Sequence, residues 1–250
     1  MKVKKIKRLI KKLIFPPKCP GCDEALPPEE TGFCHNCNLL TDRIIGDVCP
    51  VCGRPVAEGS VFCSDCGSGG RYEFESGRAV YAYTGIMKEA MYRFKYLGRR
   101  EYADVFADDA IRMWKRWLIA INPEVIIPVP MYGPKKKKRG YDQAEVFANK
   151  ISERIHVPVR NDIIIRNENT IPMKGLSPGM RVNNVKNAFL IKESEVQFKR
   201  ILVVDDIFTT GATINAVSGV LRNCFNCRVF GLYICTGIGD YRRGNGRSYM

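Results

Sequence analysis

No stretch of this 250-residue chain holds the eighteen or so consecutive apolar residues that a membrane-spanning helix needs, so no transmembrane segment is expected. The N-terminus is basic, but Lys and Arg interrupt its apolar residues throughout, and no small-residue cleavage motif follows; an export signal is therefore not expected. Nowhere is a glycine followed by lysine, which removes a Walker A phosphate loop and the nucleotide-hydrolase reading that goes with it. Histidine is scarce, with two residues in the whole chain, and neither offers an obvious general base: His35 lies among cysteines and His156 at the end of an expected helix. Acidic residues are also short in supply, 26 against 40 Lys and Arg, leaving a formal net charge of +14 and a pI near 9.3. An excess of that size concerns partners rather than fold, and its natural partners are polyanions: nucleic acid, anionic lipid or a polyphosphorylated small molecule. A hydrophobic share of 45% fits a globular protein, and the length fits one α/β domain with a small appendage.

What is present centres on residues 200–215, RILVVDDIFTTGATIN. Four branched residues, Ile201 to Val204, suit a strand buried on both faces, as in a parallel sheet. They run into two carboxylates, Asp205 and Asp206, at the C-terminal edge where open α/β sheets bind ligands. A loop of small residues follows, Thr209, Thr210, Gly211, Ala212 and Thr213, and then a helical pattern with Ala216, Val217 and Val220. Converging loop amides and a helix N-terminus form an anion site. Carboxylates on one side and phosphate-binding amides on the other suit a sugar phosphate, whose ribose hydroxyls meet the acids and whose 5′-phosphate meets the loop. The stretch resembles the phosphoribosyl pyrophosphate (PRPP) signature of type I phosphoribosyltransferases. A phospho-receiver domain is excluded because its acidic pair stands near the N-terminus, with the sheet still to come.

Eight of the eleven cysteines fall in four Cys-x-x-Cys pairs: Cys19 and Cys22, Cys34 and Cys37, Cys49 and Cys52, Cys63 and Cys66. Without an export signal, that pattern predicts metal-bound thiolates in a reducing compartment, hence a cytoplasmic protein, rather than a disulfide framework. Loops of eleven, eleven and ten residues separate the pairs, and eight thiolates supply two tetrahedral zinc sites. Consecutive use gives two ribbons in tandem and is favoured over an interleaved arrangement; an iron–sulfur site is the less suitable alternative to zinc. A closed four-thiolate site has no open position for substrate, so both sites read as structural. Gly53 and Gly67 are expected to give their turns a positive φ, and His35 to be a bystander.

Elsewhere, residues 1–15 form a basic amphipathic pattern, either docked on the protein itself or facing a membrane surface or nucleic acid, and Pro16 and Pro17 end it. A strand over residues 79–83 and helices over 86–96 and 101–119 follow. The aromatics there suit core packing, yet Arg93, Lys95, Arg99 and Arg100, interleaved with Tyr92, Phe94 and Tyr96, also suit single-stranded nucleic acid. A strand over 125–129 leads through Met131 and Tyr132 into a cationic loop, Lys135, Lys136, Lys137, Lys138 and Arg139, and then a helix over 140–155. Such a run is commonly a solvated face, but it leaves the same sheet edge as Asp205, which favours phosphate. Short strands are expected at 157–159, 163–165 and 188–191, a long polar loop between the last two, and a final strand over 228–235. Cys224 and Cys227 have no partner pair and are expected to be buried thiols.

The cysteine head, FKYLGRRE, PVPMYGPKKKKRGYDQA, RNENTIPMKGLSPGMRVNNVKNAF and ILVVDDIFTTGAT together resemble the ComF family of bacterial competence proteins, in order and over nearly the whole chain. The resemblance implies an α/β fold of the type I phosphoribosyltransferase kind, a twisted parallel sheet flanked by helices, behind an N-terminal double zinc ribbon. Together with the residue patterns this divides the chain into a basic helix at residues 1–17, the double ribbon at 18–68, the phosphoribosyltransferase-like domain at 71–240 and a basic tail at 241–250. Asp205 and Asp206 are implied to hold the ribose hydroxyls, directly or through Mg2+, and Thr209 to Thr213 the 5′-phosphate. Met131 and Tyr132 look like the pyrophosphate loop, with Arg139 and the lysine run beside it; residues 166–185 look like a closing loop, with Lys174 and Arg181 as pyrophosphate contacts. Where the family has Gln and a small residue, this chain has Met173 and Lys174, and its arginine-rich run is thinned to MRVNN at residues 180–184, which moves the expectation from a committed transferase toward a PRPP-binding protein. Family members are linked to DNA uptake and single-stranded DNA, with a competence helicase or recombination mediator as a further expected partner.

Overall fold

The computed structural model describes residues 16–69, 72–166, 188–192 and 196–238. The basic segment 1–15, the closing loop with Lys174 and Arg181, and the tail at 241–250 lie outside the described residues. In chain order the elements are α1 (His35–Leu40), α2 (Ser64–Gly67), β1 (Ser76–Ala82), α3 (Gly85–Tyr96), α4 (Tyr102–Ile121), β2 (Val125–Pro128) and α5 (Gly133–Arg139). Then come α6 (Gln143–Ile155), β3 (Ile164–Arg166), β4 (Phe189–Ile191), β5 (Arg200–Phe208), α7 (Ala212–Phe225) and β6 (Arg228–Thr236). Among them no helix is long and apolar enough to cross a membrane.

Four strands form a parallel sheet in the order β1-β6-β5-β2. The unbroken apolar run of β5 has the reason its pattern suggested, because both faces are covered. Leu202 and Val204 point into the cluster built by α3, α4 and α6, with Met91, Phe94, Phe106 and Phe147. Ile201 and Val203 point into the cluster under α7, with Ile214, Val217 and Leu221. Burying such side chains contributes roughly 1.5–3 kcal/mol each, so β5 carries the core on both sides.

The free edge of β1 is closed by the chain between the cysteine ribbons. Ile44 donates its amide to Val80 (3.0 Å) and accepts the edge antiparallel through an Arg43–Tyr81 bridge, while the Ala82 amide reaches the Asp42 carbonyl at 2.8 Å. The Arg43 guanidinium and the Tyr81 hydroxyl then meet on the Asp109 carboxylate of α4, each at 2.7 Å. Covering an edge strand in this way satisfies backbone groups that otherwise invite pairing with another chain, and it locks both ribbons to the sheet.

Four local expectations change. The cationic run 135–139 is not a loop but the body of α5: Pro134 stands in its first turn, Lys and Arg favour helix, and Gly140 at φ 77° closes it. The next helix starts at Gln143, not residue 140, because the Asp142 side chain caps it by accepting from the Ala144 and Glu145 amides. Residues 157–159 make no separate strand: Val159 bridges Ile126 and extends the sheet beside β2, whereas β3 pairs with β4 in a separate antiparallel ribbon. Cys227 is buried as expected, but Cys224 on the last turn of α7 is exposed.

Candidate functional site

The site forms where β2 leaves the sheet. The Val129 amide makes the last bond to β5, on the Val204 carbonyl at 2.9 Å, while β5 continues beside β6 as far as Phe208. Asp205 and Asp206 therefore stand at a step in the sheet edge, with one neighbouring strand missing. Asp206 forms a 2.8 Å ion pair with Lys95 of α3, the two side chains 19% and 17% exposed. Asp205 accepts the Asp206 amide at 2.8 Å. Burial, and then the neighbouring Asp206, push the Asp205 carboxyl up to about 8, with Lys95 acting in the opposite direction.

Beyond Phe208 the chain turns through exposed Thr209 and Thr210 into Gly211, which adopts φ 79°. A Cβ there would lie 2.8 Å from the Tyr72 ring and 2.9 Å from Phe208, so the position demands glycine twice over. The N-cap Gly211 has no side chain to cap α7, and of the first-turn amides that of Ala212 donates to the Thr210 hydroxyl at 3.4 Å. Asp205, Phe208, Thr209, Thr213 and Tyr233 line a shallow, open concavity between Asp205 and the loop.

On the opposite rim, Met131 and Tyr132 follow β2, and Asp142 accepts the Met131 amide at 2.9 Å while also capping α6. Arg139 donates to Gln143 (2.9 Å) and to the Tyr96 hydroxyl (3.0 Å), its guanidinium 4.7 Å over the Tyr96 ring. Lys136 pairs with Glu145 at 2.7 Å, whereas Lys135, Lys137 and Lys138 are exposed on α5.

Besides Lys135 to Lys138, four cations were expected to face nucleic acid, and each of these has a polar partner within the protein. Lys95 sits in the acidic site; Arg93 donates to the Gly21 carbonyl at 2.8 Å; Arg99 pairs with Asp23 at 2.6 Å; Arg100 reaches the Gly140 carbonyl at 2.8 Å. Phe94 is a core residue, while Tyr92 and Tyr96 are exposed and tilted together at 5.2 Å.

The cysteines divide consecutively. Cys19, Cys22, Cys34 and Cys37 form one group, and Cys49, Cys52, Cys63 and Cys66 the other, with all ligand atoms in each within 4.8 Å of one another. Each group joins a knuckle to a helix start. The first knuckle turns at Asp23 (φ 64°) and the second at Gly53 (φ 73°); Cys34 and Cys63 then stand as N-caps of α1 and α2. Gly67 takes no positive φ, because it lies inside α2, and His35 begins α1 outside the ligand group. Desolvation and the crowding of neighbouring thiols push Cys37 and Cys52 well up, and Cys66 to about 12. Cys49 is also opposed by burial, yet the amides of Cys52, Cys63 and Val51 bring it down to about 7. Four thiols so placed ionise together only around a cation, which is the chemistry of a closed four-cysteine zinc site.

Several residues of the site carried no sequence signal. Arg54 reaches the Thr209 carbonyl, Tyr72 the Thr210 carbonyl at 3.3 Å, and Asn215 accepts the Glu73 amide. Asp142 did carry one, since an acid directly before Gln-Ala-Glu is a capping pattern.

Two known families match parts of the chain. The double zinc ribbon domain matches residues 10–67 and the phosphoribosyl transferase domain residues 141–234. The chain is 30% identical to Competence protein F of Haemophilus influenzae over 82% of this chain and 90% of that protein. It is 29% identical to Competence protein ComFC of Bacillus subtilis, covering 76% and 77%. It is 26% identical to DNA utilization protein YhgH of Escherichia coli K12, covering 84% and 92%.

Proposed function

The chain belongs to the ComF family of competence proteins, and on that premise we propose that it binds PRPP and serves DNA uptake. One observation carries the ligand reading: Asp205, beside Asp206, lines one open concavity with Thr209, Gly211, Ala212 and Thr213 at the N-terminus of α7. Thr209 to Thr213 hold the 5′-phosphate through backbone amides and hydroxyls. Asp205 and Asp206 accept the ribose 2′- and 3′-hydroxyls. Two crowded carboxylates, one of them pushed up to about 8, also suit a divalent cation, and Mg2+ held there would neutralise charge on the pyrophosphate. The 2.8 Å pair of Lys95 with Asp206 supports counting Lys95 with this site as well. Arg139 and the turn at Met131 and Tyr132 stand on the pyrophosphate side.

Binding without turnover is the form we favour. Neither histidine reaches the site, since His35 begins α1 in the first ribbon and His156 caps the far end of α6. The relatives' names concern competence and DNA utilization, and the exposed Lys135, Lys137 and Lys138 of α5, with Tyr92 and Tyr96 nearby on α3, supply charge and stacking for a single strand. Calorimetry with PRPP and Mg2+, repeated with single-stranded DNA present, tests both ligands and their coupling. PRPP binding to the parent protein, lost on combining Asp205→Asn with Asp206→Asn at unchanged zinc content, supports the site. Equal binding by that variant refutes it, and pyrophosphate release from PRPP replaces binding with turnover.

A further inference from the structure

The second ribbon reaches the anion loop through one side chain. Arg54 follows Cys52 by two residues and is only 7% exposed. One arm of its guanidinium pairs with Asp65, which lies between Cys63 and Cys66. The other arm donates to the carbonyl of Thr209, the first residue of the loop. The same group lies 5.3 Å over the ring of Phe208, the last residue of β5. A single planar cation thus joins the metal ribbon to the loop.

The surroundings leave this joint little slack. A Cβ on Gly53 would sit 2.5 Å from the Gly77 carbonyl oxygen and 2.7 Å from Arg78 Cα, so the knuckle presses directly on β1. The Gly77 amide donates to the Val51 carbonyl at 2.7 Å, and Tyr72 holds the next loop carbonyl, Thr210, at 3.3 Å. Tyr72 also packs edge-on against Phe208, with ring centroids 6.3 Å apart. Fixing a carbonyl fixes its peptide plane, and with it the direction of the amide on the other side. A phosphate loop gains affinity when its amides already point at the ligand. Arginine suits the task because its fork serves two acceptors at once, which a lysine ammonium on a flexible stem does poorly. The first ribbon, by contrast, makes its described polar contacts with α3 and α4.

We propose that Arg54 is a positioning residue through which the metal-loaded second ribbon holds residues 209–213 in their phosphate-binding conformation; this rests on the reading of that loop as a phosphate site. Ligand affinity is then set in part by a zinc site that touches no ligand.

The test uses the full zinc-loaded chain. Arg54→Met is expected to keep two zinc ions per chain, to weaken PRPP binding by about tenfold, equivalent to about 1.4 kcal/mol, and to speed amide exchange at residues 209–213 without ligand while β6 exchanges as before. Arg54→Lys is expected to fall between parent and Arg54→Met. Cys66→Ser, with one zinc per chain, is expected to reproduce the faster loop exchange, and Cys37→Ser is not. If Arg54→Met keeps both zinc ions, binds PRPP within about twofold of the parent and leaves loop exchange unchanged, the inference is overturned. If the parent itself does not bind PRPP, the ligand reading fails; faster exchange in Arg54→Met then still supports the tether, and unchanged exchange overturns it. Should Arg54→Met not fold, Asp65→Asn decides the matter: it keeps the carbonyl contact but removes the charge that clamps the guanidinium. Faster loop exchange there supports the tether, and parent-like exchange overturns it.

Discussion

In the first ribbon the residue after the knuckle's second cysteine is Asp23, and in the second ribbon the same place holds Gly53, followed by Arg54. Both turns need a positive φ, and both knuckles use the residues beside them to grip the larger domain. Their charges are opposite. Asp23 accepts from Arg99 at 2.6 Å and from the Tyr102 hydroxyl, so it holds the turn between α3 and α4. Burial opposes its charge, but Arg99 and Tyr102 prevail and keep its carboxyl below the usual range. Arg54 instead holds the Thr209 carbonyl. Their packing differs as well. Cys19 and Cys37 form a small cluster with Leu26, whereas Cys49, Cys52 and Val56 merge into the core beneath α7. Repeated spacing therefore makes two similar metal sites, and the neighbouring residues send them to opposite rims of one crevice. One ribbon supports the helix that carries Lys95 to Asp206, and the other supports the phosphate loop.

The largest expected difference lies in stability. Cys52→Ser breaks a site continuous with the core and is expected to lower Tm by roughly 10 °C or more, using 2–4 °C per kcal/mol for a chain of this size. Cys22→Ser breaks the separate cluster and is expected to lower it about half as far. Equal losses in a calorimetric scan would break the comparison. Next comes the crevice between the ribbons. Combining Asp205→Asn with Asp206→Asn removes two charged acceptors, each worth roughly 1.5–3 kcal/mol, so PRPP affinity by calorimetry is expected to fall at least a hundredfold, about 2.7 kcal/mol, with both zinc ions retained. Asp23→Ala removes the carboxylate from the Arg99 fork and leaves the Tyr102 hydroxyl only the Cys19 carbonyl at 3.3 Å. It is expected to cost about 1–3 kcal/mol in urea unfolding and to weaken PRPP less than Arg54→Met does. The reverse ranking would place the dominant support in the first ribbon.

Proton linkage separates the two halves of the acid pair. Asp205 titrates near 8 in the fold, against about 3.9 for an unfolded aspartate. A raised folded pKa means stability that is fully present below about pH 4 and lost as pH rises through about 8. Asp205→Asn is expected to flatten that decline in Tm against pH. A ligand or cation that favours the carboxylate displaces its proton, so binding near neutral pH is expected to release protons, with an enthalpy that follows the buffer's ionisation enthalpy. Buffer-independent enthalpy would mean that Asp205 is already ionised. The smallest effect is expected outside the crevice. Replacing Lys135, Lys137 and Lys138 with Gln should make the salt dependence of single-strand binding shallower by about 2 in logarithmic slope and leave both ribbons and the acid pair untouched.

Much of the fold was legible because its signals are local. The run Ile201 to Val204 suits a strand covered on both faces, and the acids and small residues after it describe a turn into a helix. The α5 helix was missed because a run of five cations reads as a solvated loop, whereas Pro134 and Gly140 begin and end a short helix there. The partners of the cations between Arg93 and Arg100 were not legible for another reason. Alternation of Arg, Lys and aromatics shows that a surface is basic, not which carbonyl or carboxylate each long side chain meets.

By itself, the sequence determined the chemistry: four-thiolate metal sites, a carboxylate pair and a loop of small residues leading into a helix. Those properties follow from residue type and short spacing, within the reach of a turn or a strand. Which groups act together was decided by tertiary structure. The sheet order β1-β6-β5-β2 and the inter-ribbon chain on the edge of β1 bring Arg54 to Thr209 across 155 residues and Lys95 to Asp206. No local pattern encodes such pairs, because their distance is set by strand order and by the packing of α3 over β5.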